Sequence, residues 1–518
     1  MRSSKTNASP SIFRRSGGIL LHPTSLPGDL GIGELGRQAF RWIDFLKQSG
    51  CGLWQILPLG PTGYGDSPYQ ALSSFAGNPN LISLESLFQE NLLDQTDFEG
   101  KPNFTPAKVD FGLLIPWKNH LLNRAYQNFR QRHLPQLQDE FERFCQQHAD
   151  WLEDFALFMA LKEAHRGKAW MEWDEPYRQR SPKALQAFGA QNAVRLEAFR
   201  FQQFLFFRQW SAIRAKANEA GIRIIGDVPI FVAQDSCDAW CNPQLFKLNP
   251  QGYPRVIAGV PPDYFSPTGQ RWGNPLYHWK AHQQTGFEWW RKRIKHTLTQ
   301  VDLIRMDHFR GFCACWEIPA HLPTAEKGRW VRSPGKRLFS FLAQDLGGEL
   351  PFIAEDLGVI TQDVIELRQA FQLPGMKVLQ FAFDDHNPRN PFLPHNFTPQ
   401  SVVYTGTHDN DTTLGWYTSL GEKGRETVHR YLPLIEQDPA WQMIQYAWAS
   451  VAIFAIAPLQ DFLRLGSEAR LNFPGRMGQY WSWRATEDFY SSPLAEQLAR
   501  LNFQYNRCPF LATQSTMA

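Results

Sequence analysis

Leu303-Ile304-Arg305-Met306-Asp307, running on into His308-Phe309-Arg310-Gly311-Phe312, is the stretch on which the fold turns. Residues i, i+2 and i+4 of a strand share a face, so Leu303, Arg305 and Asp307 point one way and Ile304 and Met306 the other. The apolar pair suits a side covered by helices. An arginine and an aspartate on the opposite side, at the carboxyl end of the strand, need a place where inward-pointing charge has a use. The mouth of a parallel barrel is such a place, because the loops at its strands' carboxyl ends build the active site. Arg305 would keep Asp307 ionised by charge pairing, and an ionised, fixed carboxylate is what a covalent nucleophile requires. The plainer alternative is an ion pair that only braces the barrel.

Outward from this stretch lie seven more strand candidates: Gly18–His22, Gly52–Leu57, Arg223–Asp227, Phe352–Glu355, Val378–Phe383, Val402–Thr407 and Val451–Ala457. Each gives way to polar, Gly or Pro residues and then to a helical pattern. Eight strands alternating with helices predict an α/β fold with a closed (β/α)8 TIM barrel; a doubly wound open sheet shares the periodicity. A plain barrel unit takes about 31 residues, and the intervals 57–227 and 227–307 far exceed it. The first insert reads helical: Phe206, Trp210, Ile213 and Ala217 share a helix face and Gly221 ends the run. The second is rich in Pro, Gly and aromatic residues. The expected division is a catalytic barrel over 14–60 and 220–518, a largely helical insertion over 61–219, and a loop-rich insertion over 235–295. The residues after Asp409 suffice for the last strand and closing helices, with no C-terminal β-sandwich domain.

Composition narrows the function. The 518 residues carry 53 Lys+Arg against 50 Asp+Glu, a net +3, which gives no basic footprint for nucleic acid. The longest apolar stretch, 447–457, is stopped by Pro458 and is too short to span a bilayer, and no apolar segment near Met1 resembles a secretory signal. The first residues are Arg/Ser-rich and acid-free in the manner of a transit peptide, but too short for one. Seven cysteines, without paired C-x2-C spacing, predict reduced thiols, a cytoplasmic setting and no zinc site. Gly31-Ile-Gly33-Glu-Leu-Gly36 matches G-x-G-x-x-G, yet His22 to Leu30 separate it from the strand and the next strand lacks a terminal acid, so it reads as a glycine-rich loop entering a helix. The 39 Phe, 19 Trp and 14 Tyr exceed ordinary use; part is core, and part suits docking on the apolar faces of sugar rings.

Two further acids stand at strand ends. Glu355 closes the apolar run Pro351–Ala354 before the Gly358 turn, where burial raises a carboxyl's pKa and suits it to general acid work; a helix-capping role before Thr361 is the alternative. Asp409, in Thr407-His408-Asp409-Asn410, is expected on the face of Val403, Thr405 and Thr407. His408 beside it could suggest a metal, but no second histidine sits at ligand spacing. Asp227 ends a fourth strand. Three acids at three strand ends fit retaining glycosidic chemistry, in which nucleophile and acid/base stand about 5–5.5 Å apart.

Longer motifs carry a resemblance: GILLHPTSLPGDLGIGELG from Gly18, GLWQILPLGPTGYGDSPYQALSSFAGNPNLI from Gly52, GDVPIFVAQDS from Gly226, AGVPPDYFSPTGQRWGNPLY from Ala258, and RMDHFRGF, IAEDLG and TGTHDNDTTLGWY around the three acids. The chain closely resembles the amylomaltases, the 4-α-glucanotransferases or disproportionating enzymes of the α-amylase clan, from about Arg15 to Arg484. The resemblance implies Asp307 as nucleophile, Glu355 as general acid/base and Asp409 as the third acid gripping sugar hydroxyls. It implies Arg305, His308, His408 and Asp227 around the central sugar, Ser67 and Tyr69 in the donor-side loop, and Trp272 in the loop over the acceptor side. It implies maltooligosaccharide and α-1,4-glucan substrates and neither metal nor organic cofactor. Transfer to a sugar 4-OH rests on this likeness; an α-1,4-glucan hydrolase of the same clan uses the same acids. The chain departs from the family's usual Met at Leu471 and Asn at Tyr480, outside the three acid motifs, which points to altered packing of the tail. The GYGDSPY and DYFSPTGQRW loops are where sugar-stacking aromatics are expected.

Overall fold

The structure is a computed structural model that describes residues 12–262, 266–476, 478 and 480–510. Its strands, in chain order, are β1 (Ser16–Leu20), β2 (Leu53–Gln55), β3 (Arg223–Pro229), β4 (Val256–Val260), β5 (Gln270–Pro275), β6 (Leu303–Asp307), β7 (Ala314–Pro319), β8 (Arg329–Arg332), β9 (Phe352–Ala354), β10 (Gly375–Val378), β11 (Ser401–Tyr404) and β12 (Phe454–Pro458). Eight of them close a barrel in the order β1-β12-β11-β10-β9-β6-β3-β2, and every pairing in it is parallel. The open-sheet alternative is thereby excluded.

Strand alternation decides what lies inside. Leu53, Ile225, Leu303, Ile353, Val402 and Ile456 meet in one buried cluster within the barrel. Their neighbours of opposite parity, among them Ile224, Ile304, Met306 and Val403, pack outward into the core shared with the helices. Two residues on from the inner layer, towards the carboxyl ends, the interior turns polar: Gln55 follows Leu53, Asp227 follows Ile225, Arg305 follows Leu303, and Glu355 follows Ile353. Register brings them side by side, since Asp227 pairs with Arg305 and Pro229 with Asp307.

The long interval between β2 and β3 is helical, with helices at Phe111–Gln131, Pro135–Gln147, Ala149–Ala164, Pro182–Gln191 and Ala193–Glu219. The last carries the expected Phe206, Trp210, Ile213, Ala217 face, all buried. The interval between β3 and β6 is more ordered than its composition implies. It supplies β4 and β5, which join β7 and β8 in a separate four-stranded sheet of order β5-β4-β7-β8. No strand follows β12 among the described residues; helices and turns close the chain, ending in the helix Ser492–Gln504. No helix among them is long and apolar enough to cross a membrane.

Three expectations need correction. The strand expected over Val378–Phe383 lies earlier: β10 ends at Val378 and Leu379–Phe383 is a 3-10 turn. Pairing of Gly375 with Ser401 sets the strand's start. At Gly375 a Cβ would stand 2.6 Å from the Asp356 carboxylate, so a glycine is what lets the strand pass. The strand expected over Val451–Ala457 starts later, at Phe454: the helix Pro439–Ala449 takes the front of the apolar stretch and β12 follows. Asp409 does not share a strand face with Val403, because β11 stops at Tyr404. The G-x-G-x-x-G segment serves packing: a Cβ on Gly33 would come within 1.9 Å of the Pro23 carbonyl.

Candidate active site

Arg305 organises the barrel mouth. Its Nη1 donates to both Asp227 oxygens, at 2.9 and 2.8 Å, and to Asp307 Oδ1 at 2.8 Å. Burial opposes charge on the guanidinium, yet Asp227 and Asp307 outweigh it and hold it firmly protonated. Asp227 has no exposed side-chain surface whereas Asp307 is 26% exposed. One carboxylate is thus walled in and the other is free on one side. Burial pushes the Asp227 carboxyl up to about 6 against the pull of Arg305. Tyr69 Oη also donates to Asp227, at 2.8 Å.

Glu355 lies one residue past β9, and two backbone N–H groups fix it. His308 N donates to Oε2 at 2.7 Å and Leu357 N to Oε1 at 3.1 Å. The first of these comes from the residue after Asp307, so the two carboxyls are tied through one peptide. His308 takes a left-handed conformation, φ 50°, that few non-glycine residues adopt. The next N–H, of Phe309, reaches the Glu355 carbonyl. Burial raises the Glu355 carboxyl to about 8, with Asp307 adding and Arg305 opposing. This excludes the capping alternative, since Thr361, not Glu355, stands at the start of the helix Gln362–Ala370.

Asp409 arrives from a turn after β11, in which Asn410 Oδ1 accepts from both Thr407 N and Thr407 Oγ1. Burial would raise its pKa, but His408, whose Nε2 is 3.2 Å away, and Asn472, whose Nδ2 donates at 2.7 Å, bring it down to about 2. The side chain remains 40% exposed. The site therefore holds one carboxyl that is neutral at neutral pH and one that is strongly ionised.

The other expected residues gather round. Tyr69 stacks on His408 with ring centroids 5.0 Å apart and planes 17° apart. Ser67 acts on Tyr69, its Oγ accepting from Tyr69 N. Trp272, on β5, meets His308 edge-on at 4.8 Å, and burial lowers the His308 imidazole to about 4. Of the expected sugar-stacking stretch, Asp263, Tyr264 and Phe265 lie outside the described residues, as does the side chain of Tyr64. Among the described residues no three His, Cys, Asp or Glu side chains are grouped to hold a metal.

The chain and its fold match known proteins. A family model described as 4-alpha-glucanotransferase matches residues 21–489. The 4-alpha-glucanotransferase of Thermus thermophilus is 52% identical over 91% of this chain and 94% of its own. The chain belongs to the 4-alpha-glucanotransferase family. The 4-alpha-glucanotransferase of Synechocystis is 48% identical over 95% of this chain and 98% of its own. A solved structure of amylomaltase from Streptococcus agalactiae in complex with acarbose superposes with a TM-score of 0.92 at 37% identity, covering 95% of this chain and all of that one.

Within this family fold, the tail reaches the site more closely than the sequence implies. Asn472 holds Asp409, Arg470 Nη2 donates to the Asp409 carbonyl at 2.7 Å, and the Trp481 ring lies against Tyr69 and His408. Trp481 also holds a left-handed backbone, φ 63°, a strain of the kind that concentrates at functional sites. The tail departures at Leu471 and Tyr480 therefore adjoin residues that touch the site. Asn472 and Trp481 sit more than sixty positions beyond Asp409 with no local motif around them, and only the folded chain joins them to it.

Proposed function

We propose that the chain transfers α-1,4-glucan segments from a maltooligosaccharide donor to the 4-OH of an acceptor glucan or glucose by retaining double displacement. The observation that carries the reading is the split between carboxyls at one barrel mouth: Glu355 raised to about 8 and Asp409 lowered to about 2, around an Asp307 held by Arg305. A protonated Glu355 gives its proton to the glycosidic oxygen as Asp307 attacks the anomeric carbon. The reducing-end fragment leaves and a glycosyl ester forms on Asp307. Glu355, now a carboxylate, takes the proton of the incoming 4-OH, which displaces Asp307 and restores the α bond. Asp409, ionised throughout, accepts hydrogen bonds from sugar hydroxyls as positive charge develops on the ring. His308, His408 and Asp227 border the same sugar, Tyr69 and Ser67 shape the donor side, and Trp272 stacks the acceptor and keeps water from taking its place.

In this reading the barrel, 14–60 with 220–518, carries the chemistry, 61–219 is a helical insertion, and 235–295 covers the acceptor side. The ligands are neutral glucans, which suits a net charge of +3. Seven free cysteines favour a reducing, cytoplasmic setting. Incubation with maltotriose tests the reading. A ladder of longer maltooligosaccharides together with glucose is expected; maltose and glucose alone would mean that water is the acceptor and would overturn it.

A further inference from the structure

The only two cysteine sulfurs in hydrogen-bonding contact among the described residues lie on a short helix of the β3–β4 connection, Cys237–Cys241. Cys237 Sγ and Cys241 Sγ are 3.5 Å apart. Cys237 is 6% exposed and Cys241 half-buried. Arg180 Nη1 stands 3.1 Å from Cys241 Sγ, and its guanidinium lies over the Trp240 ring, 4.1 Å from the centroid. The Arg180 charge is partly answered by Asp154, 2.6 Å from Nη2. A reachable sulfur beside a cation, with a second thiol behind it, is the environment of a reactive cysteine and its resolving partner. Cys313 and Cys315, the other close pair in sequence, turn apart: their Sγ atoms donate to the carbonyls of Asp363 and Gly311.

We propose that Cys237 and Cys241 form a peroxide-sensitive dithiol, with Cys241 the attacking sulfur and Cys237 the resolving one. The sulfur of Cys241 attacks hydrogen peroxide and the O–O bond breaks. One oxygen stays as the Cys241 sulfenic acid; the other leaves as hydroxide and takes up the Cys241 proton as water. Cys237 Sγ then displaces the sulfenic oxygen, which departs with the Cys237 proton as a second water, and an S–S bond forms. Sulfur is oxidised and the peroxide reduced by the same two electrons. The hydrogen bond to Cys241, and then burial, hold the Cys237 thiol protonated until that step.

Closing the bond moves the backbone. Cβ atoms four apart on a helix stand about 5–6 Å apart, and a disulfide brings them to about 3.5–4.5 Å, so the turn must tighten. That turn fastens the loop carrying Ser67 and Tyr69: Cys237 N donates to the Leu72 carbonyl at 2.8 Å and Ser74 N to Asp238 Oδ2 at 2.7 Å. The disulfide therefore displaces Tyr69 from Asp227 and His408 and slows transfer reversibly.

The test treats the intact protein with stoichiometric hydrogen peroxide, blocks remaining thiols with N-ethylmaleimide and digests it with trypsin. Cys237 and Cys241 fall together between Arg223 and Lys247, with no other cysteine. That peptide is expected to lose two hydrogens and escape alkylation before any other cysteine oxidises, and dithiothreitol is expected to restore it. In Cys237→Ser, dimedone should trap a sulfenic acid on Cys241; in Cys241→Ser it should find none on Cys237. A peptide that stays reduced while other cysteines oxidise overturns the proposal, and dimedone on Cys237 instead overturns the assignment of roles. Maltotriose turnover should fall severalfold in the oxidised wild type and recover on reduction; unchanged turnover with the bond formed overturns the coupling to Tyr69. Only this last readout rests on the glucan reading, and the mass readouts stand without it.

Discussion

Replacing Glu355 with glutamine removes a proton donor and, at the same time, a buried carboxyl that resists ionisation, so above neutral pH activity and stability should move in opposite directions. In the wild type the carboxyl titrates at about 8 when folded against an ordinary 4.5. A carboxyl raised on folding is neutral in both states at low pH and costs nothing there. As pH rises above about 4.5 the unfolded chain loses its proton while the folded one keeps it, so stability drains away at about 1.4 kcal/mol per pH unit until the folded carboxyl also ionises near 8. The full window would amount to about 4–5 kcal/mol, and partial exposure to the cleft screens it to about 2–4 kcal/mol. Glutamine has no such window. Urea unfolding at pH 5 and pH 8.5 should therefore show Glu355→Gln gaining about 2–4 kcal/mol on the wild type between the two pH values, while transfer from maltotriose falls by at least about a hundredfold. The same titration predicts that wild-type kcat/KM falls as pH rises through about 8. Parallel stability curves for the two proteins, or a variant that keeps its activity, would refute the assignment of a neutral buried acid.

Asn472→Ala removes a hydrogen bond to a charged group and should cost up to about 1.5–3 kcal/mol in urea unfolding, with kcat falling as well because Asp409 loses the partner that fixes it; denaturant titration and steady-state kinetics check both halves. Arg305→Met leaves Asp227 buried and unpaired and should cost about 3–5 kcal/mol in chemical denaturation, with Asp227→Asn in the same chain recovering part of it. Trp272→Ala should raise glucose and maltose at the expense of the longer ladder, because the acceptor loses a stacking surface next to His308; an unchanged product ratio by chromatography would remove Trp272 from acceptor binding.

Much of the site was readable from the chain because alternation within β3, β6 and β9 is a local property. Asp227, Arg305, Asp307 and Glu355 each follow an inward-facing residue by two positions, so their convergence at the barrel mouth was implicit in the sequence. Asp409 came from a turn instead, and alternation pointed it to the wrong face. The small sheet of β4, β5, β7 and β8 was hidden because its strands straddle β6 and pair antiparallel across it, a non-local arrangement that short strands rich in Gly and Pro do not announce. The start of β10 was hidden as well, because Gly375 owes its place in the strand to the Asp356 carboxylate beside it. Asn472 and Trp481 carried no signal at all, since their roles exist only once the tail has folded back over the mouth.

The mechanism stands or falls on Asp307 as the group that takes the sugar. An α-glucosyl fluoride donor needs no acid to leave, so the Glu355→Gln protein should glycosylate itself and then stall without a base to bring in the acceptor. Peptide mass spectrometry after that incubation should find one hexose on Asp307, within the tryptic peptide Met306–Arg310. A hexose on any other carboxylate, or turnover of the fluoride by an Asp307→Asn protein at the same rate, would contradict it.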